Sequence, residues 1–158
     1  MAKRDLTLPF CSIVAMDSSN FCYRVCSNCE GILPDKSNGF SEFQHCSRCS
    51  FNQRTPASKR VYKLLLSVAT DKRVMIVICF DKPAKVLMGC SADELFDFSC
   101  ANPFALEASA RFLEGQMFQM VLRKPQSGNA QHMRIDSIVP LASNFHPVIE
   151  YLKKLYRT

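Results

Sequence analysis

The hydrophobic and polar positions divide the chain into short β-rich runs around one helical stretch. The clearest pattern is a pair of apolar runs, VYKLLLSVA at 61–69 and VMIVICF at 74–80, joined by a polar turn, which predicts a β-hairpin. The second run is apolar at consecutive positions, so we expect it to be buried on both faces or nearly so. Shorter β-like segments lie before the hairpin, at 10–16 and 21–25, and after it, at 117–122 and 133–141.

The helical stretch covers residues 82–114. Ser91 opens the capping-box sequence SADE, which predicts the start of one helix. Asn102-Pro103 predicts the start of a second helix, with proline at its first position, and Gly115 is placed to end it. The order of elements therefore predicts a mainly β protein with helices, built as a five-stranded OB-type barrel over residues 1–143.

A short amphipathic helix is predicted over residues 144–158, with Asn144 as a candidate cap. Two interpretations of its apolar stripe stay open. It binds a partner subunit, or it closes the bottom of the chain's own barrel. The stripe consists of Val148, Ile149, Leu152, Leu155 and Tyr156.

Composition and charge fit one soluble domain. The 158 residues suffice for one core and are few for two, and no apolar run reaches the length that a membrane span requires. The net charge of +6 is uneven, because residues 1–73 carry +5, residues 74–116 carry −3 and residues 117–158 carry +4. Basic flanks fit a face directed at phosphates, although an ordinary solvated surface explains them equally well.

Nine cysteines and no visible export signal indicate a reducing, intracellular compartment. Five cysteines are scattered among apolar neighbours and are expected to pack in the core: Cys11, Cys22, Cys79, Cys90 and Cys100.

The other four cysteines form two CxxC pairs separated by sixteen residues, a spacing typical of a four-cysteine zinc site. Four thiolates complete a tetrahedron and leave no open position, so the Zn²⁺ would be structural. The alternative, a redox dithiol, requires a CxxC at the start of a helix, and nothing helical follows either pair. The predicted ligands, in an insert at about 24–52, are Cys26, Cys29, Cys46 and Cys49.

Basic and aromatic side chains interleave along the insert and the hairpin, as in proteins that follow a phosphate backbone with cations and stack bases on aromatic rings. Any one aromatic residue here is as readily explained as core. The predicted nucleic-acid-binding residues are Arg24, Arg48, Lys59, Arg60, Tyr62, Lys63, Lys72, Arg73 and Phe80.

These features together resemble the carboxy-terminal DNA-binding domain of the replication protein A large subunit. The resemblance rests on the two CxxC pairs, the hairpin, and the segments LMGCSADEL and EGQMFQMVL. The early run FCSIVAMDSSNFCYRVCSNC is also similar to the amino-terminal domain of the DNA-damage-induced apoptosis suppressor. The first resemblance implies an OB fold with an inserted zinc ribbon, nucleic-acid contact at Tyr62 and Phe80, and a terminal helix that joins two other subunits. EGIL at 30–33 departs from it by lacking the lysines expected there.

We therefore expect a non-enzymatic nuclear protein that binds single-stranded DNA in replication, repair or recombination as a replication protein A-like subunit. The alternative is a scaffold subunit that does not bind DNA and assembles a complex through its terminal helix. Hydrolase chemistry is disfavoured because the three histidines form no evident cluster with carboxylates or a nucleophile.

Overall fold

A computed structural model describes residues 5–29, 31–33, 58–125 and 132–157. The strands are β1 (Asp5–Asp17), β2 (Cys22–Cys26), β3 (Ser58–Ala69), β4 (Val74–Phe80), β5 (Met117–Arg123) and β6 (Met133–Pro140). The helices are α1 (Asp81–Met88), α2 (Ala92–Ala101), α3 (Ala105–Leu113) and α4 (Val148–Leu155).

Five of the strands close into a barrel in the order β1-β3-β4-β6-β5, with β5 returning to β1. All neighbours are antiparallel except β4 and β6, which are parallel. β2 stands outside this ring and extends the sheet from the first half of β3. This is the OB topology, so the predicted mainly β, five-stranded barrel is confirmed. Most of the predicted zinc-ribbon insert lies outside the described residues.

The core is formed by alternate residues of the strands and closed by the helices. On β3, Leu64, Leu66 and Val68 point inward and are fully buried. They meet helix residues such as Leu87 and Leu113, which are also fully buried. Each such side chain contributes about 1.5–3 kcal/mol by leaving water, so the barrel and its helices form one stable unit.

The outer face of β4 is uncovered, and the prediction that β4 is buried on both faces is wrong for its first half. Val74 is 63% exposed and Ile76 is 48% exposed. Among the described helices, α1 and α2 pack on β3, and α1 also contacts β4, whose first half keeps Val74 and Ile76 exposed.

The cap of α2 is confirmed, whereas α3 begins later than predicted. The Ser91 hydroxyl accepts a hydrogen bond from the Glu94 N–H at 3.1 Å. α3 starts at Ala105, because Asn102 is used to end α2, where its side-chain amide donates to the Phe98 carbonyl at 3.1 Å. Gly115 takes a positive φ of 84° after α3, as its predicted role requires.

α4 begins after Pro147 rather than at an Asn144 cap, and most of its apolar stripe faces inward. Val148, Ile149 and Leu152 belong to the chain's own core, which is the arrangement that the second interpretation of this helix expects. Leu155 is 56% exposed and Tyr156 is partly exposed. Partner contact thus remains a prediction for the end of the helix only.

Two of the scattered cysteines are core residues as predicted. Burial raises the pKa of Cys11 to about 11 and that of Cys79 to about 12, so both thiols stay protonated at neutral pH. Cys100, in contrast, is exposed on α2. None of the helices in the described ranges is long and apolar enough to cross a membrane.

Candidate nucleic-acid interface

A groove of about 600 Å³ runs over the outer face of the sheet where β2, β3, β6 and the start of α1 meet. We call it the Phe80 groove. Two aromatic rings and three cations are among its lining residues, which are Tyr23, Val25, Ile32, Lys59, Val61, Phe80, Asp81, Lys82, Pro83, Arg134, Ile135 and Asp136.

Strand register explains why these side chains meet. Tyr23 is paired with Val61 across β2 and β3, and Lys63 is paired with Phe80 across β3 and β4. Because successive side chains alternate between faces, this row points away from the barrel interior. Arg134 reaches the same face through the parallel pairing of β6 with β4.

The groove is more basic than its residue list indicates, because its two carboxylates are already engaged. Asp81 lies 3.0 Å from the Lys85 ammonium and accepts the Tyr62 backbone N–H. Asp136 lies 3.4 Å from the Arg123 guanidinium, outside the groove. Lys82 and Arg134 therefore meet little competition from these two carboxylates.

Tyr23 offers the groove a neutral, partly buried ring. Its pKa is raised, first by burial and second by the charge of Asp81, so the phenol remains protonated at neutral pH.

Three of the predicted nucleic-acid residues are brought together here: Lys59 and Phe80 line the groove and Lys63 flanks Phe80. Lys72 and Arg73 lie at the opposite end of the hairpin, in the turn between β3 and β4. Arg48 lies outside the described residues.

Tyr62 is a core residue, which corrects the prediction that it contacts nucleic acid. It is fully buried, and its hydroxyl lies 3.0 Å from the Cys90 carbonyl and 3.1 Å from the Ser91 carbonyl. A ring enclosed in this way has no face to offer a base. Along β3 the side chains of Val61 and Lys63 point outward, so the side chain of Tyr62 between them points into the core.

Arg60 and Arg24 point away from the Phe80 groove, to the other face of the sheet. Arg60 forms an ion pair with Asp93 at 3.1 Å, and its guanidinium lies 3.7 Å from the Phe96 ring centre. Arg24 donates a hydrogen bond to the Ser58 hydroxyl at 2.6 Å. Both side chains therefore join the base of the insert to its surroundings, and neither contributes to this groove.

Sequence reasoning missed Lys82 and Arg134. Lys82 carried a usable signal, since it lies two residues after Phe80 beside an aromatic of the predicted hairpin. Arg134 carried none, because its position depends on a parallel pairing between strands more than fifty residues apart in sequence.

The first CxxC pair lies in a tight turn that follows β2. The Cys26 N–H donates to the Gly31 carbonyl at 2.9 Å, and Val25 pairs with Ile32 on the far side of the turn. The Gly31 N–H donates to the Cys29 sulfur at 3.4 Å. The CxxC spacing lets the two sulfurs of such a turn bind one Zn²⁺, so this half of the predicted site fits the metal.

Cys46 and Cys49 lie outside the described residues, and within those residues no cluster of three or more metal-binding side chains occurs. The four-cysteine site therefore stays a prediction.

The closed barrel, the helices between its third and fourth strands, and the aromatic groove on its outer face define the class as an OB-fold domain. Residues 9–144 match the family described as the replication factor-A C-terminal domain. Since the match covers most of the chain, the protein belongs to this family.

Solved structures of replication protein A share the fold. A chain of a replication protein A heterotrimer bound to ssDNA superposes with a TM-score of 0.72 over 90% of this chain, at 19% identity. A chain of yeast RPA bound to ssDNA gives a TM-score of 0.68 over 98% of this chain, also at 19% identity. The present chain covers 33% of the first of these chains and 85% of the second. No curated protein matches the sequence.

Proposed function

We propose that this protein binds single-stranded DNA in the Phe80 groove. The observation that carries the proposal is the placement of two partly buried rings, Tyr23 and Phe80, among the cations Lys59, Lys82 and Arg134 on one open face. Rings held in this way stack on bases whatever their sequence, and cations beside them neutralise the phosphates. The replication protein A chains that share the fold are described as bound to ssDNA, which supports the same proposal.

The proposal predicts different effects on binding for the loss of an aromatic ring and for the loss of a cation. A base stacked on an aromatic ring contributes about 1–3 kcal/mol, which is roughly a 5- to 150-fold change in the dissociation constant. Each neutralised phosphate adds about 0.7 to the slope of log K against log salt for a single strand. Ring removal should therefore weaken binding at every salt concentration, whereas cation removal should flatten the salt dependence.

The test is fluorescence anisotropy with a labelled oligo-dT at about 50 and 200 mM salt. Phe80→Ala should weaken binding at least fivefold at both concentrations. Phe104→Ala is the matched control, because Phe104 is 70% exposed and precedes α3, outside this groove. An equal loss in the two variants, or no binding by the parent chain at the lower salt, would refute the proposal.

We further propose that Cys26 and Cys29, together with Cys46 and Cys49, hold one structural Zn²⁺ that fixes the insert beside the groove. The turn around Gly31 is the support for this, and the ion would act by stabilising the local fold, because metal binding and folding are coupled. Purified protein should contain about one zinc per chain. Cys29→Ser should lose the metal and speed amide hydrogen exchange around β2. Folded, metal-free protein would contradict the zinc site.

Assembly with other OB-fold subunits is the second candidate function. The observation in its favour is a small apolar groove between α3 and α4 whose edges include the exposed Leu155 and Phe104. Leu155→Glu should abolish any such assembly and leave DNA binding unchanged, as measured by light scattering and by anisotropy. Loss of both properties together would argue against a separate assembly surface.

The proposed activities place the protein, as a non-enzymatic subunit of replication protein A type, in DNA replication, repair or recombination in the nucleus.

A further inference from the structure

A second groove, of about 960 Å³, lies at the other end of the β3–β4 hairpin. We call it the hairpin-tip groove. It is enclosed by the first half of β1 and by the turn at 70–73, and Met75 and Met117 also line it. Phe10, in an irregular part of β1, is 68% exposed at its edge. An aromatic ring this exposed has no evident role in the core.

The turn presents two cations beside that ring in a defined conformation. The Thr70 hydroxyl accepts the backbone N–H groups of Lys72 and Arg73, each at 3.2 Å, and the Thr70 N–H donates to the Arg73 carbonyl at 2.8 Å. Both cations are exposed. Asp71 in the same turn is also exposed, so the turn keeps a net positive charge.

An apolar ridge runs along the outer face of β4 from the Phe80 groove towards the turn at 70–73. The outward side chains of β4 run from Phe80 through Ile78 and Ile76 to Val74, and the last two are 48% and 63% exposed. The surface is therefore apolar along its length and basic at both ends. A ligand that matches it is extended, offers flat apolar groups and carries negative charge at intervals, which describes a single nucleic-acid strand.

From these observations we infer that the hairpin-tip groove, formed by Phe10, Lys72 and Arg73, is a second subsite for the strand held in the Phe80 groove. The inference rests on the proposed function. The path from Phe80 to Val74 is about 20 Å at the rise of a β-strand. For a strand that keeps its bases stacked, with the rise of about 3.4 Å per nucleotide that each strand has in a double helix, this distance corresponds to about six nucleotides. A shorter strand therefore reaches one groove only, and a longer one engages both.

The experiment compares oligo-dT of about 4 and about 12 nucleotides on the parent chain and on a variant with Phe10→Ala, Lys72→Ala and Arg73→Ala. For the longer oligonucleotide the variant should bind about tenfold more weakly, and its salt slope should fall by about 1.4, the value for two phosphates. For the shorter one the affinity should be unchanged. A longer oligonucleotide can bind one site in more positions, which raises its apparent affinity. This factor is the same for the parent and the variant, so it drops out of the ratio of their affinities.

Two further variants separate binding from folding and from overall charge. Lys72→Ala with Arg73→Ala alone alters two exposed side chains and should reproduce the change in salt slope. Lys154→Ala with Arg157→Ala removes the same charge at the exposed end of α4 and should leave both oligonucleotides unaffected.

The outcomes distinguish the inference from the proposed function. If the parent binds both oligonucleotides and the triple variant loses affinity equally for both, or for neither, the second subsite is refuted and the Phe80 groove stands. If the parent binds neither oligonucleotide at low salt, the proposed function fails and the inference fails with it.

Discussion

Tyr62 and Phe80 are both aromatic residues of the β3–β4 hairpin, yet the structure gives them opposite roles, and a pair of substitutions tests this directly. Tyr62→Phe keeps the buried ring and removes only a hydroxyl shared between the Cys90 and Ser91 carbonyls. Burial raises the pKa of Tyr62, so this hydroxyl is a protonated donor at any practical pH. Its loss should lower the free energy of unfolding by about 1–2 kcal/mol. In a chain of this size the midpoint of thermal unfolding should fall by about 2–8 °C.

The assays are urea unfolding followed by circular dichroism and anisotropy with the same oligo-dT. Tyr62→Phe should bind within twofold of the parent, because its ring is enclosed between the barrel and the helices. Phe80→Ala should weaken binding at least fivefold. A Tyr62→Phe variant with parental stability and fivefold weaker binding would overturn the assignment of Tyr62 to the core.

Two other predictions concern how the helices and the insert are attached to the barrel. Gly89→Ala should destabilise the protein by clearly more than Gly115→Ala. Both glycines have positive φ, which costs another residue about 1–2 kcal/mol, but a Cβ at Gly89 would also clash with the Pro147 side chain, whereas at Gly115 no described residue other than its chain neighbours lies within 4 Å. Urea unfolding measures the difference, and equal effects would mean that α4 is not packed as described. Arg60→Met should lower stability by about 1 kcal/mol, through the lost Asp93 ion pair and cation–π contact, and leave the salt slope of DNA binding unchanged. A flatter slope would show instead that Arg60 contacts phosphate.

Local signals predicted the fold well. The hairpin, the Ser91 cap and the Gly115 stop each depend on a few neighbouring residues, and each occurs where the sequence placed it. The predicted start of α3 was wrong because the Asn102 side chain donates a hydrogen bond to the Phe98 carbonyl and so ends α2. The sequence Asn-Pro does not show whether the asparagine ends one helix or begins the next.

The candidate site was predicted only in part, because it depends on which face of each strand points outward. β4 is apolar at consecutive positions, so its sequence does not show which of its side chains point outward. From the sequence alone, Phe80 on β4 and Tyr62 on β3 therefore look equally suited to stack on a base. Arg134 joins them through a parallel pairing that no short-range pattern encodes. The inward stripe of α4 is ambiguous for a related reason, since an apolar stripe fits the chain's own core or a partner equally well.

The charge that is uneven along the sequence is also uneven over the surface of the fold. The acidic segment, residues 74–116, supplies the helices α1 to α3 at one end of the barrel, while the open face of the sheet carries most of its cations on β3, β6 and the hairpin turn. Lys82 is the exception, and it lies at the start of α1 where that helix borders the groove. An approaching phosphate chain is thus attracted more to the strand face than to helices α1 to α3. Because this attraction acts beyond contact distance and is screened over about 8 Å at physiological salt, it should favour the rate of association more than the lifetime of the complex.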